Sequence, residues 1–273
     1  MRSRVPALLA LLALCVGPSA AQAQIRPLDP IAWRDFRLPL GAASVGAAIY
    51  SAQPASLAGV EGRMVELGSL RGVVRVGRVL FEASGSAWRM LDERISLNDP
   101  VSGVRDAVEG RRADVGDYRF STMVLLTEPR SAWGAAFRFG ARLPTTDETA
   151  GLERDETDVF FTVATQWQSS HVRLFAEGGL GIFGVVSTVP DQTDPFLYMA
   201  GIQMPRSTIT AGLELVGHYD TRHAGPPRGN EHLSELRLRV RSEGATWGEL
   251  VALRGLASFS PDYGLELRIG RTF

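Results

Sequence analysis

Arginine is the residue type whose spacing in this chain of 273 residues offers the clearest chemistry. In several segments arginines share alternate positions with glycine, and they occur at Arg119, Arg138, Arg142, Arg173, Arg237, Arg239, Arg241, Arg254 and Arg268. Acidic residues recur on the same faces, at Asp158, Glu177, Glu214, Glu235 and Glu266. Such a surface can bind or pass anions, because rings of charge set pore selectivity. The alternative is a bracing network of arginine–carboxylate pairs, since buried charge is tolerated when it is paired.

Two loops contain residue types that bind metals. One hairpin holds His218, Asp220, His223, Glu231 and His232. The other loop, 147–158, holds six acidic residues. Neither has the regular ligand spacing of a calcium loop or a transition-metal site. We expect solvated loop residues there, with at most loose divalent ions bridging to lipopolysaccharide, and we predict no metal site and no cofactor.

Catalysis would need a serine and a histidine paired beside an oxyanion donor. In a lipid-cleaving barrel this pair lies on the lipid-facing wall, whereas the alternation places His218 on the polar face and His171 at a turn. The G-x-S-x-G motif is absent. We therefore predict that the protein is not an enzyme.

The N-terminus has the features of an export signal. Arg2 and Arg4 precede an apolar run, and Ala21-Gln22-Ala23 offers a cleavage site of small residues. We predict a signal peptide at 1–23, an extended lead-in at 24–43 and one barrel domain at 44–273. The single cysteine, Cys15, lies within the signal, so the predicted mature chain contains no disulfide or thiolate metal site.

Charge and hydropathy exclude two further classes. The whole chain has a net charge of −1, and loss of the signal with its two arginines makes it more negative, which argues against a broadly basic nucleic-acid binder. No apolar run after residue 23 is long enough for a transmembrane helix, which needs about 20 residues. A closed barrel is the other structure that satisfies its backbone in lipid.

Apolar residues alternate with polar residues along most of the chain after residue 43. In Trp133–Leu143, Phe137 and Phe139 lie on one face, whereas Arg138 and Arg142 lie on the other. A water-soluble sandwich would also alternate, with its apolar face inward. The segment lengths suit membrane-crossing strands of about 9–11 residues, so we predict that the Phe137 face contacts lipid.

Twelve strands follow from this pattern, in agreement with the even number of strands in bacterial barrels. We predict them at 44–52, 62–69, 72–86, 117–127, 132–144, 157–168, 171–184, 195–204, 207–219, 233–242, 247–258 and 262–273, with a bulge near Gly77. Short periplasmic turns are then expected near 70, 129, 169, 205 and 244. Longer connections, on the opposite side, are expected at 87–116, 145–156, 185–194 and 220–232, with shorter ones at 53–61 and 259–261.

The C-terminal segment supports the barrel interpretation. Tyr263–Phe273 places apolar residues at alternate positions up to the terminal aromatic, with Arg271 as the one break. We predict that this is the closing strand and that Phe273 is recognised by the barrel-assembly machinery. Aromatic residues near strand ends form an expected interfacial girdle, which comprises Trp133, Trp167, Tyr219, Trp247 and Tyr263.

One stretch resembles a known family. The residues FRFGARLPTTDETAGLERDETDVFF at 137–161 and LFAEGGLGIFG at 174–184 are similar to segments of outer-membrane barrels associated with the meta-pathway of phenol degradation. The matching residues are Leu143, Pro144, Gly151, Glu156, Thr157 and Asp158, within a resemblance that covers about 117–203. The resemblance implies a barrel with a transport role, without specifying a substrate.

Together these patterns predict an all-β, single antiparallel barrel in the cell outer membrane. We expect passive passage of a small solute, with the arginines favouring anions. The alternative is a structural barrel without an open pore, or one whose loop 87–116 binds a partner. The expected partners are outer-membrane lipid and lipopolysaccharide, the assembly machinery and an unknown solute, but no nucleic acid.

Overall fold

The computed structural model describes residues 42–57, 60–96, 111–128, 131–145, 157–182, 194–219, 232–257 and 260–273. Its strands are β1 (Ala43–Leu57), β2 (Val60–Val76), β3 (Val79–Ser96), β4 (Arg111–Asp114), β5 (Tyr118–Leu125), β6 (Trp133–Leu143), β7 (Asp158–Gln168), β8 (Arg173–Ile182), β9 (Phe196–Pro205), β10 (Ile209–Tyr219), β11 (Leu233–Ser242), β12 (Thr246–Gly255) and β13 (Tyr263–Thr272). Among the described residues, no helix has the length and hydropathy needed to cross a bilayer.

The strands form one closed antiparallel sheet. From β5 to β13 each strand pairs with the next in sequence, β13 pairs with β1, and β1, β2 and β3 continue the ring to β5. The short β4 pairs with the upper part of β3, and β5 pairs with its lower part. β4 and β5 therefore share one strand position around the barrel, so the barrel has twelve strand positions. The predicted fold class, an antiparallel barrel of about twelve strands, is confirmed.

The connections differ between the two ends of the barrel. Residues 77–78, 126–132, 169–172, 206–208 and 243–245 link strands at one end, which we call the short-turn end. At the other end, the long-loop end, the connections are 97–110, 144–157, 183–195, 220–232 and 256–262, with a two-residue link at 58–59. Four of the five expected short turns agree with these positions.

The expected turn near residue 70 is wrong. Gly68 has a φ of 65° and is an extra residue in β2, because Ala48 pairs with Ser69 while Ile49 pairs with Leu67. This glycine bulge shifts the alternation without ending the strand. The turn instead lies at Gly77, whose φ is 59°, so the predicted bulge at Gly77 and the predicted strand 72–86 are also wrong.

The expected loop 87–116 is also wrong at both ends. Residues after Trp88 continue β3 and pair with β2, as Arg89 does with Glu66. Residues Arg111–Asp114 form β4. Residues 97–110 lie outside the described part, as do the predicted signal peptide and nearly all of the predicted lead-in. Strand β1 begins at Ala43, within one residue of the predicted start of the barrel.

The wall of the barrel is apolar outside and polar inside. On β13 the outward side chains Leu265, Leu267 and Ile269 are each more than half exposed, at 52%, 57% and 63%. On β6 the outward Phe139 is exposed, whereas the inward Arg138 and Arg142 are buried. A water-soluble protein places its strands the other way round, so this is the polarity of a transmembrane β-barrel.

The barrel closes around an inward tryptophan. A Cβ at Gly46 on β1 would meet the Trp247 ring at 2.7 Å, and one at Gly270 on β13 would overlap the same ring. Trp247 is 8% exposed and follows the short turn 243–245. The prediction that Trp247 belongs to the interfacial girdle is therefore wrong, because β12 turns this residue towards the lumen. The outward residues Trp133 and Trp167 have ring centroids 6.5 Å apart, near the short-turn end of the barrel.

Substitution of Gly270 by alanine should destabilise the barrel. The new methyl group would overlap the Trp247 ring and lie 2.6 Å from the carbonyl oxygen of Val45. Overpacking of this kind costs about 1–3 kcal/mol. Urea unfolding of protein inserted in lipid vesicles measures the loss. The control is Gly248→Ala, because a Cβ at Gly248 has its nearest neighbours at 3.7 and 3.9 Å. Equal stability of the two variants would contradict this account of the seam.

Candidate functional site

The inner wall is the candidate site, because it gathers charged side chains in a confined space. Buried inward residues include large charged and polar groups as well as apolar ones. An apolar inward cluster of Leu80, Met123, Leu125, Ala136 and Ala164 lies on β3, β5, β6 and β7. A second, smaller cluster comprises Phe175, Met199 and Val216. Between these apolar groups the arginines and carboxylates form ion pairs.

The largest group of pairs surrounds Glu249, and we call it the Glu249 cluster. The Arg239 guanidinium lies 2.6 Å from the Glu249 carboxylate and 2.9 Å from that of Glu214. Arg268 lies 3.0 Å from Glu249 and 2.6 Å from Glu266. These five residues lie on strands β10–β13, so the cluster links four consecutive strands.

Sheet register explains why Glu249 is the centre of this cluster. Glu249 is directly opposite Arg241 on β11 and directly opposite Arg268 on β13. Side chains at directly opposite positions of antiparallel strands are neighbours, and diagonal positions remain within reach of long side chains. Arg239 reaches Glu249 along such a diagonal, and Arg241 approaches it to 3.7 Å. One carboxylate therefore serves three guanidinium groups.

Two further pairings lie on the β5–β8 side. Arg142 is fully buried and lies 3.0 Å from Asp117 and 2.7 Å from Asp158. Arg138 lies 2.8 Å from Glu177, which also accepts a hydrogen bond from the Thr162 hydroxyl. Because each guanidinium faces a buried carboxylate, the positive charge of these two arginines is neutralised locally.

The β2–β3 hairpin carries its own inward pairs. Arg89 lies 2.7 Å from Glu66, and Ser86 donates a hydrogen bond to the same carboxylate at 3.0 Å. Nearer to the short turn 77–78 of the same hairpin, Arg71 lies 3.0 Å from Glu82. These residues were not predicted to lie inside the barrel, because the expected turn near residue 70 divides the strand that contains Glu66 and Arg71.

Several other predicted site residues lie inward with polar or aromatic neighbours. Arg237 is 2.6 Å from Glu235. Arg173 is buried and donates a hydrogen bond to Gln203 at 3.1 Å. The guanidinium of Arg241 lies 4.1 Å from the centroid of the Trp247 ring, in a cation–π contact. Arg241 and Trp247 thus form a stacked pair near the short-turn end of the lumen.

Arg254 is the predicted lumen residue that the structure places elsewhere. On β12 the buried side chains are Trp247, Glu249, Val251 and Leu253, so Arg254 belongs to the opposite face. It pairs in register with the outward Leu236 and Tyr263. The prediction was wrong because each face of β12 carries both apolar and charged residues. The alternation alone therefore does not show which face of β12 points into the lumen.

The histidines do not gather into a site within the described residues. His218 is buried inward, and His232 stacks on the outward Tyr219 with ring centroids 4.0 Å apart. His171 accepts or donates a hydrogen bond with the adjacent Ser170 at 2.7 Å on an exposed turn. No group of three metal-binding side chains occurs in the part of the chain that the structure describes. Asp220, His223, Glu231 and most of the acidic loop 147–158 lie outside that part.

The closed wall with its paired interior defines the class of transmembrane β-barrels. No family model matches this chain. No curated protein matches it. Among solved structures it is similar to the translocator domain of the autotransporter NalP from Neisseria meningitidis, with 10% identity over 86% of this chain and 88% of that chain and a TM-score of 0.43.

Two further solved barrels are similar over most of the chain. One is a loop L8 deletion mutant of OmpT, an outer-membrane protein of Vibrio cholerae, with 9% identity, coverage of 85% and 98%, and a TM-score of 0.42. The other is Salmonella typhi OmpF in complex with daunomycin, with 8% identity, coverage of 90% and 100%, and a TM-score of 0.42. The barrel assignment rests on the strand pairing itself, and these likenesses do not bear on function.

Loss of the Glu249 carboxylate should strongly destabilise the barrel. Glu249→Gln leaves Arg239, Arg241 and Arg268 with less compensation in a buried site, and removal of one partner of a buried pair costs about 3–5 kcal/mol. Urea unfolding in vesicles measures the change. The matched control is Glu128→Gln, which removes a carboxylate from an exposed pair with Arg78 whose side chains are 70% and 56% exposed. That change should cost less than about 1 kcal/mol, and similar losses for both variants would contradict the bracing role.

Proposed function

We propose that this transmembrane barrel resides in the bacterial outer membrane and that, at rest, its own side chains close the lumen to solutes. The apolar outer wall and the contrast between short turns and long connections support this location. We propose outer-membrane lipid and lipopolysaccharide as its surroundings. The exposed terminal Phe273 beside the closing strand is the proposed recognition point for the barrel-assembly machinery.

One observation carries the closed state: Arg89, Arg138, Arg142, Arg237 and Arg239 are buried, and each faces a carboxylate. Arg239, for example, is 5% exposed and lies between Glu214 and Glu249. A wide aqueous channel would wet these side chains, as in barrels of about 16–18 strands, whereas barrels of about 8 strands are filled by side chains. Twelve strands lie between these two cases, and the burial of these ion pairs supports a lumen filled by side chains.

The wild-type protein should therefore give no porin-sized conductance in a planar bilayer. The paired charges of the inner wall leave solutes no wide path, so the current should stay near the baseline. Proteoliposomes from the same preparation, checked for heat-modifiable migration on gels, show that the silent protein is folded and inserted. A stable, large conductance from such material would overturn the closed state.

A second candidate function is passive passage of a small solute. The inward face where β1 meets β13 carries small residues, including Gly46, Ala48 and Gly270, and the nearby Glu266 and Arg268 side chains are 14% and 16% exposed. Both side chains have more solvent contact than that of the neighbouring Glu249, which is 2% exposed. The Trp247 ring lies over Gly46 and Gly270 and would close such a passage near the short-turn end.

Trp247→Ala should open this passage if it exists. The ring that lies over the two glycines is lost, so a small conductance should appear in bilayers where the wild type is silent. The outward Trp133→Ala is the control, because Trp133 is 62% exposed on the outer wall. If the Trp247→Ala variant is folded and still gives no conductance, the proposed passage between β1 and β13 is contradicted and the barrel is closed there.

Anion preference can be tested in the same background. Adding Glu249→Gln to Trp247→Ala removes the carboxylate shared by three arginines, so the reversal potential in a salt gradient should shift towards that of chloride. The single Trp247→Ala variant is the reference. An unchanged potential would mean that the arginines do not influence the passing ions, and the expected anion bias would be lost.

We propose further that the barrel is not a lipid hydrolase. A lipid-cleaving pair would face the bilayer, whereas His218 faces the lumen and Ser170 with His171 lies on an exposed turn. None of the described strands carries a histidine on its outward face. The resemblance of residues 117–203 to barrels of the meta-pathway of phenol degradation stays a prediction, as does the identity of any solute.

A further inference from the structure

The outer wall contains a trench whose floor is half glycine and alanine. One row of outward residues runs across the sheet along consecutive pairings and consists of Val45, Gly72, Ala83, Phe120, Ala141 and Val159. Three of these six residues are glycine or alanine. A Cβ at Gly72 would meet no atom within 4 Å, so the space above it is open.

A neighbouring row of larger residues forms a wall beside this floor. It runs parallel to the first and contains Val74, Phe81, Thr122, Phe139 and Phe161. Phe81, Phe139 and Phe161 are each between 41% and 46% exposed. The two rows line an apolar groove of about 660 Å³ on the outside of the barrel.

The trench begins at a cation. Val45 is directly opposite Arg271 on β13, so Arg271 continues the floor row by one strand. Arg271 is exposed between the outward residues Ile269 and Phe273, and its guanidinium lies 5.3 Å from the centroid of the Phe273 ring. It lies two residues from the end of the chain, at the short-turn end of the barrel. Arginine on a lipid-facing wall is tolerated best near the interface.

The course of the trench matches the shape of a lipid. From Arg271 the floor climbs to Val159, which is the second residue of β7 and lies near the long-loop end. Five strand spacings separate Val45 from Val159, or about 24 Å at about 4.8 Å per spacing. A single leaflet contributes about half of the ~30 Å hydrocarbon core. The groove is therefore long enough for one whole acyl chain.

We propose that this trench binds an anionic phospholipid of the leaflet at the short-turn end. The phosphate lies at Arg271, because a guanidinium donates paired hydrogen bonds to phosphate oxygens. One acyl chain lies along the floor over Gly72 and Ala83, beside the Phe81 ring, and then passes Phe120 on its way to Ala141. Charge complementarity at one end and an apolar groove of matching length select this occupant over a second copy of the barrel, which would not need a cation at the margin.

Native mass spectrometry of the full-length protein in detergent tests the site. Phosphatidylglycerol and phosphatidylcholine with the same acyl chains are added at equal concentration. The wild type should retain phosphatidylglycerol in about 1.4- to 5-fold excess, the range that one exposed charge pair supports. Equal retention of the two lipids by the wild type would overturn the proposal.

Two pairs of variants distinguish binding of the lipid's acyl chain from binding of its head group. Gly72→Leu fills the floor and should lower retention of both lipids, whereas Gly248→Leu, at an outward glycine of β12 on the other side of the seam, should not. Arg271→Gln should abolish the preference for phosphatidylglycerol while leaving chain binding, and Arg254→Gln, at the other end of the wall, should not change it.

A folding control and two further results complete the test of the lipid site. Heat-modifiable migration shows that each variant is folded, and the open space above Gly72 makes a leucine there compatible with the backbone. Equal losses from Gly72→Leu and Gly248→Leu would show unselective lipid contact. A dimer that Gly72→Leu dissociates would identify the occupant as a second copy and overturn the lipid site.

Discussion

Closure of the sheet between β1 and β13 is the constraint on which the rest of the barrel depends. Ten consecutive residue pairs, from Ser44 with Thr272 to Gln53 with Tyr263, join the two ends of the barrel domain. An open edge would leave backbone groups unpaired in lipid, at a cost of several kcal/mol each. Because the seam is closed, the outer wall can be largely apolar and most polar side chains share the interior. Gly46 and Gly270 allow Trp247 to lie against this seam.

The confined interior then controls the chemistry of its charges. Arginines that face inward cannot all be solvated as they are on a surface, so carboxylates on neighbouring strands compensate them. Glu249 shows how register achieves this, because it is opposite Arg241 and Arg268 and diagonal to Arg239. The resulting wall is closely paired, and a positive stripe available to passing anions would require these pairs to part. Bracing and selectivity are therefore competing uses of the same arginines.

The alternation of apolar and polar residues predicted correctly which face of most strands points into the lumen. It failed in strands where a bulge shifts the alternation or where both faces carry charge. From β5 onwards the predicted strands overlap the observed ones, because most of them have one clearly apolar face. In β2 the bulge at Gly68 resembles a turn in sequence, and the true turn at Gly77 lies nine residues further on. In β12 both faces carry charge, so Arg254 was placed inside and Glu249 was overlooked. The inward arginines of β11 and β13 are the signal that could have located a carboxylate between them.

The sequence by itself determined the class of the fold, since period-two alternation over long segments and an apolar outer face are local properties of each strand. It also determined the type of charge that faces inward. Only the tertiary structure decided which carboxylate each arginine meets, that Trp247 turns inward, and that Arg271 stands at the head of an apolar trench. These features depend on the register between strands distant in the chain. A shift of one residue would exchange the two faces, and no single segment contains that information.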